Sequence, residues 1–167
     1  MTSPEAIFHD PRSVPLRHRI PVRLAVGAAR LLAHQHPRRI RAVLEWLRRG
    51  ARPATLDRTQ GARDAVVAVS LACARREGCL ARSLATILLC RLHGQWPTWC
   101  VGARRLAPFG AHAWVEAEGV PVGEDYPPDY FRPLFTVPCA PGSFRRAPGS
   151  VSRESTAVRR RGRGLRP

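Results

Sequence analysis

Residues 78–94 read Gly-Cys-Leu-Ala-Arg-Ser-Leu-Ala-Thr-Ile-Leu-Leu-Cys-Arg-Leu-His-Gly. The pattern predicts a helix over Cys79–His93 with apolar side chains around much of its girth, and such a helix belongs inside a domain rather than on its surface. Gly94 supplies the C-terminal stop, because glycine is the residue that most often ends helices. We therefore expect the rest of the domain to pack around this helix.

Three more helices are predicted on the N-terminal side of the central one, from apolar residues that recur at helical spacing. Their ranges are Val22–His36, Arg38–Arg49 and about Thr59–Arg75. Pro21 opens the first of them, as proline often does. The region before it, residues 1–21, shows little pattern and is predicted to be an extended arm, and 51–56 is predicted to be a linker.

The apolar period changes from 3.6 to 2 after Gly94, which indicates strands. The predicted strands are Thr98–Ala103, Ala111–Ala117, Val120–Gly123 and Tyr130–Val137. Helices followed by a run of strands with short connections are typical of an α+β fold with an antiparallel sheet. We expect one domain over residues 22–140.

The composition fits a single globular domain. The chain has 167 residues, of which 44% are hydrophobic, enough for a core of ordinary size. No apolar run reaches the ~18–20 residues of a membrane span, and the N-terminus does not resemble a secretory signal. The five cysteines include no CxxC pair, which disfavours a disulfide framework or a zinc ribbon and favours a reducing cytoplasm. No cofactor or metal is expected.

The net charge of +16 comes from 28 arginines against 12 acidic residues. Lysine and asparagine are both absent, which is typical of coding bias in a GC-rich genome. Residues 141–167 carry eight arginines and one acid and show no apolar period, so they are predicted to be a disordered Arg-rich tail. The tail is either a solvated extension or a contact for nucleic acid or an acidic protein, although no aromatic residue after Phe144 could stack on bases.

Cys79 is the candidate nucleophile. It follows a glycine at the first turn of the predicted central helix, where free N–H groups and the helix dipole favour thiolate over thiol. The alternative is a small apolar side chain that fills space. Cys73, Cys90 and Cys100 fit that alternative, because they lie inside predicted helices or a strand, and Cys139 has no evident role.

His112 is the candidate partner of the thiol. Strand alternation places it on one face with Trp114 and Glu116, between two alanines. A polar ring in that position is unusual for structure alone. His93 cannot serve, since it lies roughly 21 Å from Cys79 along the helix axis.

The third group is predicted from the register of the hairpin that follows His112. A three-residue loop over residues 117–119 pairs Glu116 with Val120 and places Glu124 opposite His112. A two-residue turn would place Asp125 there instead, but it needs positive φ at Glu118. We therefore favour Glu124 and keep Asp125 as the alternative acid.

Three segments together resemble a known family. Residues 78–89, residues 111–122 (Ala-His-Ala-Trp-Val-Glu-Ala-Glu-Gly-Val-Pro-Val) and residues 130–137 (Tyr-Phe-Arg-Pro-Leu-Phe-Thr-Val) resemble the lasso peptide biosynthesis B protein, a transglutaminase-like leader peptidase. The resemblance spans about Val22 to Val137 and implies a papain-like core. It implies that Cys79 is the nucleophile and His112 the general base. Glu124 stands where the family usually has an aspartate.

The resemblance also implies a function and partners. The protein would remove the leader from a ribosomally made precursor peptide, before an ATP-dependent cyclase acts. Because residues 1–21 are far shorter than a leader-recognition domain, the resemblance is to the stand-alone form, which acts with a separate leader-recognition protein. Neither a membrane nor nucleic acid is an expected partner.

Other interpretations remain open at this point. A hydrolase or acyltransferase of the same fold could act on another substrate, the chain could be an arginine-rich nucleic-acid-binding module, or the fold could bind without catalysis. Gln95 is a candidate oxyanion donor by residue type alone.

Overall fold

The computed structural model describes residues 15–105, 107, 109–124, 126–127 and 130–140. The predicted Arg-rich tail lies outside these residues, as does most of the predicted arm. The helices are α1 (Leu16–Ala33), α2 (Pro37–Leu47), α3 (Leu56–Val69), α4 (Leu71–Ala74) and α5 (Cys79–Leu92), with a 3₁₀ turn at Arg76–Gly78 before α5.

Six strands form two sheets in the part of the chain that the structure describes. The strands are β1 (Arg52–Pro53), β2 (Gln95–Trp96), β3 (Thr98–Arg104), β4 (Ala111–Ala117), β5 (Val120–Pro121) and β6 (Phe131–Val137). The main sheet is antiparallel in the order β5-β4-β3-β6, and β1 pairs with β2 in parallel. The predicted α+β class is confirmed.

Helix α5 lies at the centre of the domain. It packs against α1 and α3 on the helical side and against β4 on the sheet side. Trp99 of β3 is 1% exposed and donates its indole N–H to Ser83 Oγ of α5 at 3.0 Å. The buried side chains of α5 are Arg82, Ser83, Leu84, Ala85, Thr86, Ile87, Leu89 and Cys90. The helix is therefore surrounded, as its apolar girth predicts.

The prediction of an extended arm through residue 21 is wrong for its last six residues. Helix α1 begins at Leu16, directly after Pro15, and Pro21 lies inside it. The fixed φ of proline is compatible with a helix, and its missing N–H removes one helical hydrogen bond. That loss is tolerated near the start of a helix whose following residues, Val22 and Val26, are buried in the core.

The predicted third helix is divided in the structure. Helix α3 begins at Leu56 and ends at Val69, because Ser70 adopts an extended conformation with φ −131° and ψ 107°. Ser70 Oγ then accepts a hydrogen bond from the N–H of Cys73 and caps α4. The predicted linker at 51–56 contains β1. Apolar spacing continues across the break, so periodicity alone gives no sign of it.

Within the part of the chain that the structure describes, none of the helices combines the length and apolar character needed to span a membrane.

Candidate active site

Cys79 is the first residue of α5, and the glycine before it is required by close packing. A Cβ at Gly78 would collide with the carbonyl oxygen of Ala72, so a larger residue would push the start of the helix away from α4. No side chain caps this end of α5. Cys79 is partly exposed, whereas Cys73 is fully buried nearby. The thiol is thus presented to solvent at an uncapped helix N-terminus.

His112, the second residue of β4, lies between Cys79 and Glu124. Its Nε2 is 2.9 Å from Glu124 Oε2, and its side chain lines the same cleft as Cys79, close enough for each group to shift the pKa of the other. Because Glu124 occupies Nε2, the ring nitrogen available to the sulfur is Nδ1. The His112 and Glu124 side chains are each 11% exposed. The structure therefore brings the three predicted site residues together in a line.

Opposing influences act on the thiol and the imidazole. Burial raises the pKa of Cys79, but the hydrogen bonds from His112 and from the backbone of Ala113, with the charges of His112 and Arg82, lower that pKa below its ordinary value. Burial lowers the pKa of His112, but hydrogen bonds to Cys79 and Glu124 raise it to about 9. Both shifts favour a thiolate facing an imidazolium over a neutral thiol facing a neutral ring, and the thiolate is the form in which a cysteine attacks a carbonyl.

A family model matches residues 22–136, which is most of the chain, and its description is the Transglutaminase-like superfamily. The chain belongs to this superfamily. No match was found among curated proteins or among solved structures. Cysteine peptidases and acyltransferases are common members of the superfamily, and in both classes a thiolate attacks an acyl carbon.

The hairpin register of the transglutaminase-like domain differs from the favoured prediction. Glu118 and Gly119 have φ values of 55° and 81° and form a two-residue turn, so Ala117 pairs with Val120. The predicted three-residue loop is wrong. A left-handed conformation costs a non-glycine residue about 1–2 kcal/mol, and the match between this turn and the strand twist offsets that cost.

Glu124 nevertheless reaches His112, because the pairing between β4 and β5 ends before it extends as far as His112. Continued pairing would place Asp125 opposite His112. The N–H of Val122 makes the last bond to β4, at 2.9 Å, and Gly123 then turns the chain with φ +63°. This turn brings Glu124 to the ring. Asp125 lies outside the described residues.

Aromatic side chains fix the orientation of the His112 ring. Phe131 stacks on His112 with ring centroids 4.4 Å apart, and Trp114 lies parallel to the same ring at 5.9 Å. Phe131 starts β6, two strands away from β4 in the sheet. Gly102 lies opposite His112 on the intervening strand, and a Cβ there would collide with the Arg132 carbonyl oxygen and press on Trp114. Sequence reasoning missed this stacking, because it depends on the order of the strands in the sheet.

Arg63 of α3 anchors the turn that carries Glu124. Its Nη2 donates to the carbonyl oxygen of Gly123 at 2.7 Å, and a Cβ on Gly123 would meet the guanidinium. The side chain of Arg63 is only 14% exposed. Sequence reasoning missed this residue, because a backbone carbonyl as partner leaves no trace in residue types.

The site opens into a cleft of about 700 Å³. Its lining residues are Ala74, Arg76, Glu77, Cys79, Arg82, Arg104, Gly110, Ala111, His112, Tyr126 and Phe131. Gln95 is not among them, because it lies in β2 beyond the opposite end of α5; it is too far away to bind an oxyanion at Cys79. Among the described residues no group of three His, Cys, Asp or Glu side chains is arranged to hold a metal ion.

Proposed function

We propose that this protein is a cysteine peptidase that removes the leader from a ribosomally made lasso precursor peptide. The observation that carries the proposal is the grouping of Cys79, His112 and Glu124, with Cys79 and His112 lining one cleft and the His112 ring 2.9 Å from the carboxylate. Membership of a superfamily that includes cysteine peptidases supports it. The substrate assignment rests on the resemblance of residues 78–89, 111–122 and 130–137 to leader peptidases.

The first chemical step is acylation of the enzyme. The thiolate of Cys79 attacks the carbonyl carbon at the leader–core junction, and the negative charge moves to the oxygen. Backbone N–H groups in the first turn of α5 stabilise that oxyanion, because first-turn donors have no helical partner and no side chain caps them here. The imidazolium of His112 then gives its proton to the departing core amine as the C–N bond breaks.

The second step is hydrolysis of the thioester. His112, now neutral, takes a proton from water, and the resulting hydroxide attacks the acyl carbon. The C–S bond then breaks, so Cys79 leaves as a thiolate and the leader is released as a carboxylic acid that ionises in solvent. Glu124 keeps the ring in one orientation through both steps and stabilises its charged form. The free core amine is the group that an ATP-dependent cyclase would join to a core side chain.

We propose a separate leader-recognition protein as the partner that presents the precursor. The cleft that contains Cys79 shares Tyr126 and Phe131 with a neighbouring hollow of about 470 Å³. An extended peptide that crosses the sulfur would therefore find space in two adjoining cavities. This arrangement suits a peptide chain better than a small substrate.

The test uses purified precursor, the leader-recognition protein and this chain in H₂¹⁸O, with mass spectrometry of the products. We expect free core and a leader whose new C-terminal carboxylate carries one ¹⁸O atom. A leader joined to an amine of the precursor or of the buffer would instead identify an acyltransferase of the same fold. An intact precursor, in the presence of a folded and alkylatable Cys79, would contradict the peptidase assignment.

A further inference from the structure

Arg82 is a buried cation one helical turn beyond the nucleophile. The residue is 7% exposed, and its Nη1 donates to the carbonyl oxygen of Cys73 at 2.8 Å and to that of Arg75 at 3.3 Å. Among the described residues no carboxylate forms an ion pair with it. A guanidinium is always charged and is costly to bury without a negative partner. Two carbonyl oxygens satisfy hydrogen bonds but do not neutralise the charge.

The missing negative partner is present at the site itself. Cys79 and Arg82 are three residues apart on α5, a spacing that puts side chains on one face of a helix, and both line the same cleft. We propose that Arg82 is a positioning residue for the reaction, which ties the segment before α5 to the helix and supplies the buried positive charge that keeps the Cys79 sulfur ionised. The proposal rests on the role of Cys79 in the proposed function.

The path of the chain shows how Arg82 holds the backbone before α5 in place. The two carbonyls that Arg82 binds end α4 and precede the 3₁₀ turn Arg76–Gly78. Gly78, at the end of that turn, is packed directly against α4. Arg82 therefore holds the backbone that sets where Cys79 enters the helix.

The effect of the Arg82 charge on Cys79 follows from the burial of Arg82. The other charged groups that line the cleft with Cys79 are Arg76, Glu77, Arg104 and His112. Arg76 and Glu77 are exposed, so solvent screens them. Arg82 is shielded from solvent, and a charge in that setting acts more strongly on its neighbours. Its charge contributes to lowering the pKa of Cys79.

The chain offers a matched control on the same helix. Arg91 donates Nε to the carbonyl oxygen of Leu47 at 2.6 Å and Nη2 to that of Arg49 at 3.3 Å. It thus ties α5 to the end of α2, much as Arg82 ties it to the end of α4. Arg91 lies about 18 Å along the helix from Cys79, so its charge is remote from the sulfur.

The experiment measures the rate at which iodoacetamide alkylates Cys79 as a function of pH, with the modified peptide quantified by mass spectrometry. The sulfur displaces iodide, so the rate follows the thiolate fraction and needs no peptide substrate. Three variants are compared with the wild type. Arg82→Gln keeps an N–H donor without the charge, and Arg82→Lys keeps the charge without the planar set of guanidinium donors. Arg91→Gln is the matched control. Thermal unfolding is measured on all of them.

We expect Arg82→Gln to move the alkylation profile to higher pH and to slow alkylation at neutral pH by about threefold to tenfold. Arg82→Lys should retain the wild-type profile with a lower melting temperature, and Arg91→Gln should do the same. A wild-type profile in Arg82→Gln would overturn the electrostatic role, as would an equal shift in Arg82→Lys. If Arg82→Gln does not fold, Arg82→Lys is compared with the wild type: a retained profile supports the electrostatic role, and a profile moved to higher pH in this folded, charged variant overturns it. Because alkylation is independent of cleavage, a failed peptidase assay leaves this test intact.

Discussion

The two ends of α5 carry cysteines with opposite properties. Cys79, at the N-terminus, has a pKa lowered by His112, the Ala113 backbone and Arg82 against the effect of burial. Cys90, near the C-terminus, is 2% exposed, and burial raises its pKa to about 11 despite a hydrogen bond with Thr59. Both residues belong to one continuous helix. Reactivity therefore depends on donors and charges around each sulfur rather than on residue type or helix membership.

The strongest test of this comparison removes each sulfur in turn. Cys79→Ala should reduce precursor cleavage by about 10³-fold or more, because no other group supplies the nucleophile. Cys90→Ala should leave cleavage within a few-fold of wild type and lower the melting temperature through a small cavity. Cleavage is followed by mass spectrometry, and circular dichroism checks that both variants fold. Cleavage that survives loss of Cys79 would refute the assignment of the nucleophile.

Glu124 provides a second test of the comparison, since it acts on Cys79 only through the His112 ring. Glu124→Gln should lower the cleavage rate by about 100-fold, because the ring loses the carboxylate that orients and charges it. Asp125→Asn is the matched control and should have little effect, since Glu124 already occupies Nε2. The measurement is the single-turnover rate of each variant. The reverse ranking would show that the ladder continues to Asp125 when substrate is bound.

The smallest expected effect is the pH dependence of the wild-type enzyme. The pKa of His112 is raised to about 9, so its proton, which the departing amine needs, is lost as pH rises through that value. The rate of leader removal should accordingly fall to about half its plateau near pH 9. The pKa of Cys79 is lowered, so alkylation of Cys79 should already be fast at pH values where Cys90 in unfolded protein reacts slowly. A cleavage rate that still climbs above pH 9 would contradict the thiolate–imidazolium pair.

Most of the secondary structure and the positions of the site residues could be predicted from local patterns. The helix that begins at Cys79 and the alternation that places His112 on one face of its strand are both properties of a few consecutive residues. The predicted start of α1 is wrong, because the prediction treats Pro21 as a helix boundary. In the structure the helix continues through Pro21, since the residues around it pack against the core. Glu124 was predicted for an incorrect reason, since the turn is shorter than expected and Gly123 compensates by ending the ladder early.

The contacts that sequence reasoning missed share one physical property. Arg63 binds the backbone carbonyl of Gly123 on another element, Arg82 binds those of Cys73 and Arg75 before its own helix, and Phe131 stacks on a ring two strands away. Every residue has a carbonyl, so no residue type marks the partner of such an arginine. The contacts exist only once the helices and the sheet are packed together.

Local features of the chain are enough to predict the order of helices and strands, the thiol at a helix start and the imidazole on a strand, because side-chain periodicity and helix termini are local properties. The folded domain selects which carboxylate meets His112, which aromatic ring covers it and which cation lies beside Cys79. Each of these depends on where one segment leaves its partner and another approaches, and that is set by packing over the whole domain.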